Sequence, residues 1–446
     1  MHNLSIFGTS SDAGKSTITF VVAKLLQDLG YRVVPFKAQN VSNNAVACAD
    51  GREIAVAQYF QAEVLGLTPM YQMNPVLLKS GRKSSAALIV NGQVVETKDV
   101  RAYYRDIDRL KPIVNEAYRY LDARYDCVIA EGAGSPVELN LMDKDLSNIH
   151  IATEFQTKII LVADIEKGGV FASIWGVYNL LPQALRERVI GVVVNKFRGD
   201  RSLFDEGVRI IEQEFGIPVL GVLPYAPFNL GFEDSQSLIN YQQKSQAGAK
   251  RIGVIAYPTM SNYNDFEPLI ADEGVMVEFV RENISLKAFD LVILPGSKLV
   301  IEDLSWLKST GLFAQLQSHK GEILGICGGF EMMFRQIVDL EGVESESPAR
   351  VAGLGFVDDE IIFRQEKVVR RGHYKLFGRE VEGFEIHHGW SKRYPLYYEK
   401  EKIRGTFVHG LFNDETFRDY KEQAVDAFVA QMKEYLDMER ILQALR

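Results

Sequence analysis

The sequence predicts an α/β protein of two tandem doubly wound domains, and three observations carry that prediction. Short apolar runs alternate with helix-length amphipathic segments, as buried parallel strands with crossover helices do. The pattern lapses around 233–250 into EDSQSLINYQQKSQAGAK, a polar stretch without an apolar period. A fresh series then opens with RIGVIAY at 251–257, and 446 residues are in any case too many for one ordinary core.

In the first domain, residues 1–235, the run LSIFG at 4–8 leads through a Gly/Ser loop into a helical pattern from Lys15 to about Leu29. Further strands are expected at Arg32–Phe36, Asp126–Ala130, Ile159–Ala163, Val189–Val194 and Val219–Leu223. The linker is placed at 236–250. The second domain, 251–446, continues with DLVILPG at 290–296 and EILGICGG at 322–329, and Glu341–Arg350 reads as an exposed loop.

Composition narrows the function classes. A net charge of −9 argues against a nucleic-acid footprint, which needs a basic face. No apolar run is long enough to span a bilayer, and the N-terminus lacks the regions of a signal peptide. Three cysteines at unrelated spacings, Cys48, Cys127 and Cys327, give neither a disulfide framework nor a zinc site. A reducing cytoplasm is the simplest setting.

Residues 8–17, GTSSDAGKST, lie between a strand and a helix. Backbone N–H groups there, with the helix N-terminus, make a concave anion site. Thr9, Asp12, Ala13, Gly14, Lys15, Ser16 and Thr17 form the expected nucleotide cradle. Lys15 reaches the β- and γ-phosphates and the Ser16 hydroxyl faces Mg²⁺. Glu131 follows the apolar strand DCVIA, where ligands gather in doubly wound sheets, and is the expected second metal ligand. Asp12 is a weaker candidate for the same ion. Asn195 also ends a strand, and either reads adenine or merely caps the strand end.

Cys327, in GICGG at 325–329, has the small neighbours of a nucleophile elbow, and a following helix favours its thiolate. Cys48 and Cys127 fit ordinary buried cysteines instead. His409, in GTFVHGLF at 405–412, is the expected base that takes the thiol proton and returns one to departing ammonia. The N–H groups of Gly296 and Gly328 are the candidate oxyanion hole.

The loop has five residues between Gly8 and Gly14, and in this it resembles the dethiobiotin synthetase branch of P-loop proteins, which use ATP to activate carboxyl groups. The early lysine usual in partitioning ATPases is missing. The second half resembles class I glutamine amidotransferases. Together the halves resemble the cobyric acid synthase family over nearly the whole chain. The carrying segments are GTSSDAGKST (8–17), FKAQNVSNNA (36–45), MNPVLLK (73–79), EGAGSPVELNL (131–141), LVADIEKGGVFA (161–172), NKFRGD (195–200), LPGS (294–297), GICGGFEMM (325–333), GFEIHHG (383–389) and GTFVHGLF (405–412).

The resemblance implies ATP-dependent amidation of peripheral carboxylates (b, d, e and g) of adenosylcobyrinic acid a,c-diamide, a corrinoid, with glutamine as nitrogen donor and Mg²⁺ as cofactor. It places Lys37, Gln39, Asn40, Asn43 and Asn44 near the substrate, although an Asn-rich cluster is also turn chemistry. Some positions depart from the wider class. Leu411 stands where many class I glutaminases carry Glu, so a bare Cys–His pair is expected. Glu331 stands where Gln is common, Phe334 where Gly is common, and Leu299 where Asn is usual. The near alternative is a cobyrinic acid a,c-diamide synthase, which carries Lys-x-Gly-Pro-Asp where this chain has Lys37-Ala38-Gln39-Asn40. A nucleotide-sensing scaffold with an inert glutaminase fold predicts loss of the nucleophile or the histidine, and both remain.

Overall fold

A computed structural model describes residues 1–80, 85–228, 230–231, 248–345 and 347–446. Most of the expected linker, 236–247, lies outside the described residues. The first domain is built on a six-stranded parallel sheet. Its order is Val219–Pro224, Val189–Phe197, Lys158–Asp164, Leu4–Gly8, Cys127–Glu131, Val33–Phe36. Each strand is a β-branched or apolar run with helices on both faces, as parallel strands require. The strand Leu4–Gly8 is central, and its neighbours end in Glu131 on one side and Asp164 on the other. Carboxylates therefore flank the loop at the sheet's carboxyl edge, where doubly wound folds place ligands.

A smaller sheet of Gln39–Val41, Val76–Ser80, Ser85–Val90 and Gln93–Asp99 covers one side of this domain. Beside it, Ala45–Ala47 pairs antiparallel with Glu53–Ala55. Val46, Ala47 and Val56 pack on Phe384 of the second domain, so this hairpin forms part of the domain boundary.

The second domain has its own six-stranded sheet, ordered Val275–Val280, Lys250–Ile255, Leu291–Leu294, Glu322–Ile326, Ile403–Thr406, Tyr397–Lys400. All pairs are parallel except the last. Against it lies a five-stranded sheet dominated by the long hairpin Val357–Leu376 and Arg379–Trp390. Arg379–Trp390 pairs in turn with Val408–His409, which carries the candidate base.

At the end of the span expected for the second domain, the helices Glu415–Lys433 and Met438–Leu445 pack on the first domain. Phe417, Val425, Phe428, Val429, Met432, Ile441 and Leu445 join the core formed by Leu4, Ile6, Val21 and Leu25. The apolar stripe of the longer helix needs a partner, and the first domain's central helix, Lys15–Asp28, supplies it. Asp414 caps its start by accepting from the Phe417 N–H at 2.8 Å. Each buried Phe or Leu contributes about 1.5–3 kcal/mol, so this return clamps the two domains together.

Candidate active sites

The phosphate loop connects Leu4–Gly8 to the helix Lys15–Asp28. The Thr9 N–H donates to the Val162 carbonyl at 2.9 Å, tying the loop to the neighbouring strand. Gly14 adopts φ 99°, and a Cβ there would stand 2.1 Å from the Asn195 amide nitrogen. Only glycine serves at that position. Asn195 is buried and its Nδ2 donates to the Ala13 carbonyl at 2.9 Å, so it braces the loop from the adjacent strand end. Lys15 Nζ donates back to the Ser10 carbonyl at 3.2 Å, while Ser16 and Thr17 are half-buried in the first helical turn.

Glu131, 1% exposed, is the hub beneath this loop. One carboxylate oxygen accepts from the Ser16 hydroxyl at 2.8 Å and from Lys37 Nζ at 2.8 Å. The other accepts from Gln61 Nε2 at 2.7 Å. A hydroxyl beside a buried carboxylate fits Mg²⁺, which takes one or two protein oxygens and completes its shell with phosphates and water. The carboxylate of Asp12 stands apart, exposed and paired with Lys167 at 3.6 Å. On the other flank, Asp164 holds Lys196 at 3.0 Å, and that ammonium also donates to the Asp12 carbonyl at 2.7 Å.

The residues expected near substrate are engaged within the protein. Lys37 holds Glu131, Asn40 donates to Gln58 at 3.1 Å, and the Asn44 side-chain carbonyl accepts from the Asn262 N–H at 2.7 Å. Gln39 is buried, its backbone exchanging bonds with the Ser147 hydroxyl, and Asn43 is half-buried.

In the second domain, Cys327 sits at φ 50°, ψ −114° between the strand Glu322–Ile326 and the short helix Gly328–Met333. A non-glycine residue there is strained by about 1–3 kcal/mol, a conformation that persists only where its surroundings impose it. The Cys327 N–H donates to the Thr406 carbonyl at 2.8 Å, and Gly328 packs so closely that a Cβ would lie 2.7 Å from the Ser297 nitrogen. This is the sharp strand-to-helix turn that a nucleophile elbow requires. The Cys327 thiol approaches the Ile386 carbonyl at 3.4 Å.

His409 is 2% exposed, stacks on Phe384 with centroids 5.1 Å apart, and interacts electrostatically with Cys327. Gly296 lies against the same ring, where a Cβ would be 3.2 Å from His409 Cε1. The expectation of a bare Cys–His pair is corrected. His409 Nδ1 meets Asp265 Oδ2 at 2.7 Å, and Asp265 Oδ1 accepts from the Gly410 N–H at 2.8 Å. Burial disfavours the imidazolium, but Asp265 and Cys327 outweigh it and raise its pKa to about 10. The third member thus comes from the turn Tyr263–Phe266, far from Leu411 in sequence.

Glu331 also acquires an explanation. Burial, with repulsion from Glu344, pushes its carboxyl up to about 8. At neutral pH it is therefore mostly protonated, and a carboxylic acid presents one donor and one acceptor as the more usual carboxamide does. Its Oε1 accepts from the Gly389 N–H at 2.9 Å.

Sequence reasoning missed Asp265, Gln61 and Asp164. Gln58 and Gln61 recur three apart and buried in the helix Val56–Val64, where apolar residues supply most of the remainder, and that buried polar spacing is a usable signal. Asp265, in SNYNDF, has no periodic context that marks it.

A phosphate-binding loop and a thiol–imidazole–carboxylate centre within one chain are the marks of a glutamine-dependent, amide-forming ligase. Residues 251–417 match the CobB/CobQ-like glutamine amidotransferase domain, and residues 4–229 match the CobQ/CobB/MinD/ParA nucleotide binding domain. A cobyric acid synthase of Acinetobacter baylyi is 59% identical, covering 100% of both chains. One of Listeria innocua is 39% identical, covering 94% of this chain and 86% of that one. A probable cobyric acid synthase of Picrophilus torridus is 37% identical, covering 100% of this chain and 99% of its own. The chain belongs to the cobyric acid synthase family.

Proposed function

We propose that the protein amidates the b, d, e and g carboxylates of adenosylcobyrinic acid a,c-diamide, giving adenosylcobyric acid in cobalamin biosynthesis, with ATP and glutamine as co-substrates. The observation that carries this reading is full-length kinship to cobyric acid synthases in a chain that keeps both a phosphate loop and a Cys–His–Asp centre. No helix among the described residues is long and apolar enough to cross a membrane.

A carboxylate is a poor electrophile, so the acceptor oxygen first takes the γ-phosphoryl group of ATP, giving an acyl phosphate and ADP. Loop N–H groups and Lys15 neutralise charge on the transferring group. Ser16 and Glu131 would hold Mg²⁺, which when bound supplies further neutralisation there. In the second domain, His409 takes the Cys327 proton, and the thiolate attacks the glutamine carboxamide. Gly296 and Gly328 would donate to the oxyanion. His409 returns the proton to ammonia as it leaves. Water then releases glutamate from Cys327, with His409 as general base. Ammonia displaces phosphate from the acyl phosphate, and the amide forms.

The experiment is Cys327→Ala with the complete substrates. Synthesis supported by glutamine disappears, and synthesis supported by added ammonium persists. Loss of both would assign Cys327 a structural role instead.

A further inference from the structure

The segment 37–45 touches both centres. At one end Lys37 holds Glu131, the carboxylate bonded to Ser16 of the phosphate loop. At the other end Asn44 and Ala45 bond to the second domain. The Asn44 side-chain oxygen accepts from the Asn262 N–H at 2.7 Å, and the Ala45 carbonyl accepts from Asn262 Nδ2 at 3.2 Å. Both bonds are buried, so each omitted partner leaves a desolvated group behind.

Asn262 stands immediately before the turn Tyr263–Phe266 and adopts φ 57°, a left-handed conformation uncommon outside glycine and asparagine. Its carbonyl accepts from the Asp265 N–H at 3.1 Å. Asp265 in turn holds both His409 and the Gly410 N–H. The backbone of Asn44 is itself fixed, its N–H donating to the Ser42 hydroxyl at 3.1 Å and its carbonyl accepting from the Val56 N–H at 3.2 Å. An anchored residue of one domain therefore sets the backbone that aims a carboxylate in the other.

We infer that Asn44 is a positioning residue for the glutaminase centre, acting across the domain boundary through Asn262 on the turn that carries Asp265. Its place on the segment that also grips Glu131 links the phosphate site to the geometry of His409. This rests on Cys327, His409 and Asp265 being the glutaminase centre.

The test uses the full-length protein with Asn44→Ala, Asn44→Asp and Asn262→Gly. Glycine at 262 keeps the left-handed backbone but removes the bond to Ala45. Glutamate release is followed against glutamine concentration and pH, alongside ammonium-supported amide formation. Asn44→Ala is expected to lower kcat for glutamate release about tenfold with KM changed less than about twofold. Its alkaline limb should move down, since a misplaced Asp265 no longer sustains the His409 proton. Asn44→Asp, which keeps an acceptor oxygen, should recover most of the rate. Asn262→Gly should slow glutamate release while ammonium-supported synthesis stays at the parental rate. The inference is overturned if Asn44→Ala releases glutamate at the parental rate with the parental pH profile. It is equally overturned if Asn262→Gly lowers both activities alike with no change in pH dependence, since that is a scaffold defect. A parent protein that releases no glutamate at all would refute the glutaminase assignment itself.

Discussion

Asp265→Asn changes one charge and almost no volume at the carboxylate that meets His409 at 2.7 Å. The carboxamide oxygen can still accept from Gly410, but its NH₂ would then face Nδ1 and favour the wrong imidazole tautomer. The size of the effect follows from the raised pKa of His409, about 10 against an ordinary 6.5. That difference corresponds to roughly 5 kcal/mol in favour of the imidazolium. Asp265 is the foremost attractive cause, and a contacting opposite charge is typically worth about ten- to a thousandfold in proton affinity, so its removal should cost roughly two orders of magnitude in imidazolium. Two assays read this: glutamate release against pH, and the rate at which iodoacetamide alkylates Cys327. The other thiols do not interfere, because burial pushes both Cys48 and Cys127 up to about 12. In the parent, activity that needs the protonated imidazole persists until pH approaches about 10. In Asp265→Asn the alkaline limb moves down, alkylation at pH 7 slows by about a hundredfold, and ammonium-supported synthesis is unaffected. Glutamate release within about twofold of the parent, with an unmoved pH profile, would refute the triad reasoning.

Glu331→Gln should be tolerated at neutral pH and should raise the melting temperature at pH 8 but not at pH 4. The sign follows from burial: a carboxyl raised from 4.5 to about 8 gives stability that is full below pH 4.5 and is lost as pH climbs through 8. An unchanged melting temperature at pH 8 would contradict it. Glu53→Gln tests the domain boundary, where the Glu53 carboxylate meets Lys79 at 2.5 Å and also Lys367 of the second domain. Burial opposes its charge, but Lys367 and Lys79 hold it down to about 2, so its stabilisation is present above pH 4.5 and lost as pH falls toward 2. Leaving the buried ammonium of Lys79 and the half-buried one of Lys367 unbalanced should cost about 3–5 kcal/mol in urea unfolding at pH 7. A loss below about 1 kcal/mol would mean that water or a rearranged partner replaces Glu53.

The parallel strands were legible because burial on both faces leaves unbroken apolar runs, and Leu4–Gly8 and Val219–Pro224 stand almost where those runs predict them. The loop and the elbow were legible because their chemistry fixes local residue types. The long hairpin Val357–Leu376 and Arg379–Trp390 was not, since RQEKVVRR interrupts the alternation that marks a half-buried strand. Nor does the helix Glu415–Lys433 announce its destination, because an amphipathic stripe says only that some apolar surface will cover it. Asp265 and the Asn44–Asn262 contact are partnerships across 144 and 218 residues, which no local pattern encodes.

The most direct measurement of the central claim is mass spectrometry of the corrinoid formed from ATP, glutamine and either cobyrinic acid or its a,c-diamide. Successive conversion of the b, d, e and g acids of the a,c-diamide to amides is the predicted result. Amidation confined to positions a and c of cobyrinic acid, with the a,c-diamide left unchanged, would contradict it.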